Sequence, residues 1–201
     1  MKKVLVLLAV LAMTLGANAQ MVKSSASLTK KSVSVNRDYN RVELGYSPMF
    51  ATGGTMHGFE AAYARGFHLS QRHPMYIETG GRLAYRGATE TNFLRLTVPV
   101  DFTWRFTVGR SGNFKISPYS GFTFNINLLY DVFDQNQFKD PYGGNRFQVG
   151  WEVGSKFNYK AFVWGIGFNV DFNPLVSFDN VWLGGVNTYT SNLFISAGYE
   201  F

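Results

Sequence analysis

The sequence predicts an all-β fold, an eight-stranded antiparallel up-and-down transmembrane β-barrel. Three observations carry that prediction. First, Asn92–Val108 alternates for about fifteen residues. Leu94, Leu96, Val98, Val100, Phe102, Trp104, Phe106 and Val108 fall on one side, and Arg95, Thr97, Pro99, Asp101, Thr103, Arg105 and Thr107 on the other. A strand sends alternate side chains to opposite faces, so one face is wholly apolar and the other carries charge. Soluble strands run about five or six residues, whereas a tilted strand crosses a bilayer in about 9–11. The apolar face therefore belongs against lipid and the polar face in a lumen. Second, the same pattern recurs from Tyr39 to Phe201, one long strand after another with a connection between. Third, no apolar run of about 18 residues appears after the first twenty positions, so no transmembrane helix competes with the strands.

Residues 1–19 read as a secretory signal. Lys2 and Lys3 give the charged start, Val4–Met13 the apolar run, and Ala17-Asn18-Ala19 the small-residue cleavage site. No cysteine follows the site, which excludes a lipoprotein signal. The mature chain is then expected to begin at Gln20, with Gln20–Asp38, rich in Ser and Lys, as a flexible periplasmic arm. The barrel is assigned to residues 39–201.

The strands follow in order. The first, Tyr39–Phe50, sets Val42, Leu44 and Tyr46 against Arg41, Glu43 and Ser47. The second, His57–His68, turns Phe59, Ala61, Tyr63 and Phe67 outward and Glu60, Ala62, Ala64 and Gly66 inward. The third, Met75–Arg86, opposes Ile77, Leu83 and Tyr85 to Glu78, Arg82 and Arg86. The fourth is Asn92–Val108. The fifth, Phe114–Tyr130, opposes Ile116, Phe122, Phe124, Ile126 and Leu128 to Lys115, Tyr119, Asn125 and Asn127. The sixth, Arg146–Phe157, opposes Phe147, Val149, Trp151, Val153 and Phe157 to Gln148, Glu152 and Lys156. The seventh, Ala161–Phe172, and the eighth, Tyr189–Phe201, place Asp171 and Glu200 inward in the same way. Connections after the second, fourth and sixth strands are short, and those after the fifth and seventh, 131–145 and 173–188, are long. Outer-membrane barrels have short periplasmic turns and longer outer loops, which puts both ends of the barrel in the periplasm. Apolar residues agree across the short turns: Phe157 and Phe162 flank the third and both fall on the apolar face of their strand, and a reflection about position 111 pairs Trp104 with Pro118.

This phase puts Arg41, Arg82, Arg95, Arg105, Lys115 and Lys156 in the lumen with Glu43, Glu60, Glu78, Asp101, Glu152, Asp171 and Glu200, six positive groups against seven negative. Buried charges persist when paired and hydrogen-bonded, and eight strands leave only enough room for side chains to fill. The expectation is a salt-bridged, filled lumen without an open pore. Arg65 is the exception on the apolar face, near a strand end where it can snorkel to headgroups; deep on that face it would cost about 2–4 kcal/mol. Pro99 cannot donate to a ladder, and a local bulge is expected there.

Composition excludes several chemistries. With no cysteine there is no disulfide, thiol nucleophile or cysteine metal site. The formal charge of +6 falls to about +4 once Lys2 and Lys3 leave, too little to argue for nucleic acid. His57, His68 and His73 form no metal-ligand array, and no cofactor is expected. Ser47, His57 and Glu60 are the nearest approach to a Ser/His/acid set. The pairs Gly143-Gly144 and Gly184-Gly185 read as loop turns, not as a phosphate-binding loop, because no helix follows them.

The ending Leu193-Phe-Ile-Ser-Ala-Gly-Tyr-Glu-Phe201 resembles the C-terminal strand signature of bacterial outer-membrane barrels. Leu94–Phe106, with Val98-Pro99-Val100, resembles the apolar-Pro-apolar strand of small barrels of the Bacteroidetes type. Over Tyr39–Phe201 the chain is similar to the OmpX family and the OmpA membrane domain. The resemblance implies an outer-membrane location, outer-membrane lipid as surroundings, and recognition by the barrel-assembly machinery through the strand ending in Phe201. The role is less marked by these motifs; the reading of the whole chain is a monomer with a filled lumen and a structural or surface-interaction role, without catalysis. A surface ligand would meet the loops 131–145 and 173–188. The rivals are a narrow porin-like channel for small solutes, a lipid-modifying barrel enzyme, and a soluble lipocalin-type barrel with its apolar face inward.

Overall fold

The computed structural model describes residues 37–51, 54–70, 73–88, 91–109, 112–131, 145–178 and 186–201. The elements are β1 (Tyr39–Tyr46), β2 (Met49–Ala51), β3 (Gly54–His68), β4 (Met75–Ala88), β5 (Thr91–Trp104), β6 (Phe106–Val108), β7 (Phe114–Asp131), β8 (Phe147–Tyr159), β9 (Phe162–Asp171), β10 (Val176–Phe178), β11 (Val186–Thr188) and β12 (Thr190–Glu200). No helix occurs among the described residues. Each wall strand pairs antiparallel with the next one along the chain, and β12 pairs back onto β1 from Arg41↔Glu200 to Tyr46↔Ile195. This closes an eight-stranded antiparallel barrel in which β1 with β2, and β5 with β6, each make one wall strand. Closure leaves no free edge, which is what lets strands live in a medium without hydrogen-bonding solvent.

The alternation read from the sequence sets the two faces. Leu44 and Phe59 are 70% and 73% exposed, while Arg95 and Glu152 are 1% and 0% exposed. The exterior is a coat of Val, Leu, Ile, Phe, Trp and Tyr, and the interior carries the charges. That polarity rules out the lipocalin-type rival, which needs the reverse.

Four local features differ from the expected pattern. The first wall strand breaks at Ser47 and Pro48, yet β2 keeps the register of β1 on both neighbours. The ladder between β4 and β5 skips Val98 and Pro99, opposite Gly80 and Gly81, and resumes in the same register at Arg82↔Thr97. On the other side Pro99 pairs with Thr123 without a shift. The expected bulge at Pro99 is therefore absent: the missing N–H costs ladder bonds against two glycines, and the inside–outside phase is unchanged. The register shift falls instead between Leu94 and Arg95, where β7 carries one extra residue, Leu128. The third short turn is tighter than expected, with Tyr159 opposite Phe162 and Phe157 opposite Trp164. Lys160 takes a positive φ of 55° there, the left-handed conformation a two-residue hairpin turn demands. Within the connection 173–188, β10 and β11 form a separate hairpin that the alternation does not announce.

Candidate functional site in the barrel lumen

The lumen is built in tiers along the inward positions of β4, which climb from Tyr76 through Glu78 and Arg82 to Arg86. At the short-turn end the Arg105 guanidinium lies 4.0 Å over the Tyr39 ring and 5.5 Å over that of Tyr76. It donates to both oxygens of Glu200, at 2.7 and 2.9 Å, and Asn158 Nδ2 donates to the same carboxylate at 2.8 Å. Next, Glu78 accepts from the Tyr39 hydroxyl, from Arg41 at 2.5 Å and from Lys156 Nζ at 3.4 Å. Glu43 pairs with Arg41 and lies 3.7 Å from Lys156. Above this tier Arg82 grips Glu152 with two nitrogens, at 3.0 and 3.2 Å, and reaches Glu60 at 3.5 Å. Its guanidinium stacks 4.2 Å from the Phe194 ring. Higher still, Arg95 donates to Asp171, Asn127 and Gln148 at 2.9, 2.9 and 2.6 Å, and Asn125 Nδ2 adds a bond to Asp171 at 2.7 Å. Bidentate and multiply hydrogen-bonded pairs of this kind are the arrangement in which buried charge is tolerated.

Three charged residues stand outside this pairing. Asp101 is buried but forms no ion pair among the described residues, and its Oδ1 has no hydrogen-bond partner. Lys115 is half-buried at the short-turn rim and likewise has no ion pair among them. Arg86 stands on the inward register as a further positive group, so the inward groups number seven of each sign. It is 3% exposed, donates to the Ser47 carbonyl at 2.8 Å and to the Ser47 hydroxyl, and leaves Nη1 without a partner.

The long-loop mouth is closed by apolar groups. Met49, Phe93 and Leu175 form a buried cluster with Met56 against it. Leu175 comes from the connection after β9. It is held by backbone bonds from Asn145 N to its carbonyl (2.8 Å) and from its own N to the Thr188 carbonyl (2.7 Å). A polar cavity lined by Ser47, Glu60, Arg82, Arg86, Asn192 and Phe194, among others, measures about 10 Å³, room for about one water molecule.

The Ser47, His57 and Glu60 set is not assembled. Ser47 faces inward onto Arg86, Glu60 faces Arg82, and His57 is exposed on the apolar wall, bonded to the Tyr46 hydroxyl. Among the described residues no group of three or more His, Asp or Glu side chains is placed to hold a metal ion. Of the loops 131–145 and 173–188, residues 132–144 and 179–185 lie outside the described residues.

A closed barrel with an apolar coat and a charged, filled bore defines an integral-membrane strand protein. Comparison with solved structures makes the class narrower: the fold is that of the small eight-stranded outer-membrane barrels. Neisserial surface protein A (NspA) superposes with a TM-score of 0.53 at 12% identity, covering 82% of this chain and 97% of that one. The outer membrane protein OprG of Pseudomonas aeruginosa gives 0.49 at 10% identity, covering 83% and 97%. The outer membrane enzyme PagL gives 0.47 at 12% identity, covering 77% and 97%. No protein-family model and no curated protein sequence matches the chain. A shared fold leaves the role to be argued from the site itself.

Proposed function

We propose that the chain is an integral outer-membrane barrel of OmpX-like, Bacteroidetes type whose lumen is closed and whose role is structural or one of surface interaction, without catalysis. Residues 1–19 direct its export, the strand ending in Phe201 presents it to the barrel-assembly machinery, and it works as a monomer. The short turns face the periplasm, and the long loops, including 131–145 and 173–188, face outward as the surface for a ligand. The observation that carries the closed-lumen reading is the sealed bore: paired Arg82, Arg95 and Arg105, an apolar lid at Leu175, and a cavity of about 10 Å³ between them. Among the described residues these groups leave no continuous water column for an ion to follow.

The test is conductance in planar bilayers. The reading expects no steady current above the bare membrane for the wild type and none for Arg82→Ala or Arg105→Ala. A wild-type current that either substitution abolishes would favour the second reading, a narrow solute path, to which the polar lining around Arg86 lends support.

A further inference from the structure

We propose that Arg65, on the outer wall of the barrel near the short turns, binds the phosphate of an anionic phospholipid in the leaflet that meets that end. The inference rests on the coat being lipid-facing. Arg65 follows Phe59, Ala61 and Tyr63 on the outward register of β3, and its side chain is 51% exposed. Among the described wall-strand residues it is the only Lys or Arg on that register. Its guanidinium stacks 4.9 Å from the Phe67 ring, which holds it along the wall. The nearest carboxylate, Asp38, lies 3.9 Å away, at the limit of an ion pair. His68 binds the other oxygen: Asp38 Oδ1 accepts from His68 Nδ1 at 2.6 Å and from the His68 backbone at 3.1 Å, so only Oδ2, at that long distance from one guanidinium nitrogen, faces Arg65. The guanidinium therefore keeps donors for a second anion. Beside it, Asn40 stands opposite Arg65 in the ladder. The Tyr63 hydroxyl donates to Asn40 Oδ1 at 2.9 Å, which satisfies the amide oxygen beside Arg65.

The surroundings suit a lipid more than a free phosphate. Towards the middle of the wall, exposed Tyr63, Val42 and Leu44 flank the small Ala61, a shallow apolar trough for an acyl chain attached to the bound headgroup. The sign of the rim agrees. The short connections 69–74, 109–113 and 158–161 contain Arg72, Arg110 and Lys160 and no Asp or Glu, whereas 131–145 and 173–188 contain Asp131, Asp134, Asp140 and Asp179 against Lys139 alone. Cations near an anionic leaflet each contribute to retention at its surface, and a guanidinium matches phosphate geometry.

The experiment is native mass spectrometry of the full barrel released from nanodiscs of equal phosphatidylglycerol and phosphatidylcholine. The wild type should retain phosphatidylglycerol about fivefold over phosphatidylcholine, the weight of one interfacial cation. Arg65→Gln should erase the preference, Arg65→Lys should keep part of it, and Asp38→Asn, which removes the competing carboxylate, should raise it. Lys160→Gln, which removes one rim cation but not the Arg65 site, should lower it less than Arg65→Gln does. Equal retention of the two lipids by the wild type overturns the proposal. So does a preference that survives Arg65→Gln, or release of the lipid by excess inorganic phosphate. Heat-dependent gel mobility of each variant reports barrel folding. Failure of the wild type to enter nanodiscs would instead count against the membrane reading itself.

Discussion

At the short-turn end the bore is stopped by groups that combine charge with aromatic faces: Arg105 over Tyr39 and Tyr76, tied to Glu200. At the long-loop end it is stopped by Met49, Phe93 and Leu175, which carry no charge. The first seal is made of residues on wall strands and at their ends, so barrel closure alone assembles it. The second needs Leu175, a loop residue held by backbone hydrogen bonds. An ionic seal fails when one partner is removed and the other is left charged in a dry interior. An apolar seal fails more gently, through lost packing.

The contrast can be broken most forcefully in the ionic part. Glu78→Ala removes the shared acceptor of Tyr39, Arg41 and Lys156 and is expected to cost about 3–5 kcal/mol of barrel stability, read from urea unfolding in lipid vesicles. Leu175→Ala is expected to cost less, about 2–3 kcal/mol, because the loop can partly collapse into the space. Equal costs for the two substitutions would erase the distinction drawn here. A smaller effect is expected from Gly167→Ala, where a Cβ would meet the Phe194 ring and the Tyr119 hydroxyl. Overpacking of this kind costs about 1–3 kcal/mol, and the same unfolding assay should show it.

The smallest effect lies outside both seals. Hydrogen bonds from the His68 ring, then from its backbone N–H, hold the Asp38 carboxyl below its ordinary value. A carboxyl depressed in the folded state adds stability above its unfolded value near 3.8 and loses it as pH falls through the lower, folded one. Asp38→Asn should therefore lower the unfolding midpoint slightly at pH 6 and shift it progressively less as the pH drops below about 4. A difference that persists unchanged in acid would remove Asp38 from the account.

Alternation made the barrel wall readable because period two is imposed on every strand that has lipid on one side and a packed bore on the other. The inward positions of Arg41, Glu78, Arg82, Arg95 and Glu152 follow from it. The same rule hides apolar residues that face inward. Phe194 sits between Leu193 and Ile195, so its side-chain type says nothing and only parity places it. Phe93 and Met49 lie at strand ends where the pattern thins. Leu128, Leu129 and Tyr130 form an apolar run that masks the register shift at Leu128. Pro99 misleads in the opposite sense: it looks like a defect in its own strand, but the accommodation lies across the ladder at Gly80 and Gly81. Leu175 and the β10–β11 hairpin are set by loop backbone bonds, which leave no periodic trace.

The most direct test is spin-label accessibility along the strand from Leu94 to Trp104, in a chain that has no native cysteine to remove. Labels placed singly at Leu96, Val98 and Phe102 should collide readily with membrane-dissolved oxygen. Labels at Thr97 and Thr103 should be shielded both from oxygen and from a water-soluble nickel complex. High oxygen exposure at Thr97 and Thr103 with shielding at Val98 and Phe102 would turn the barrel inside out and contradict the account.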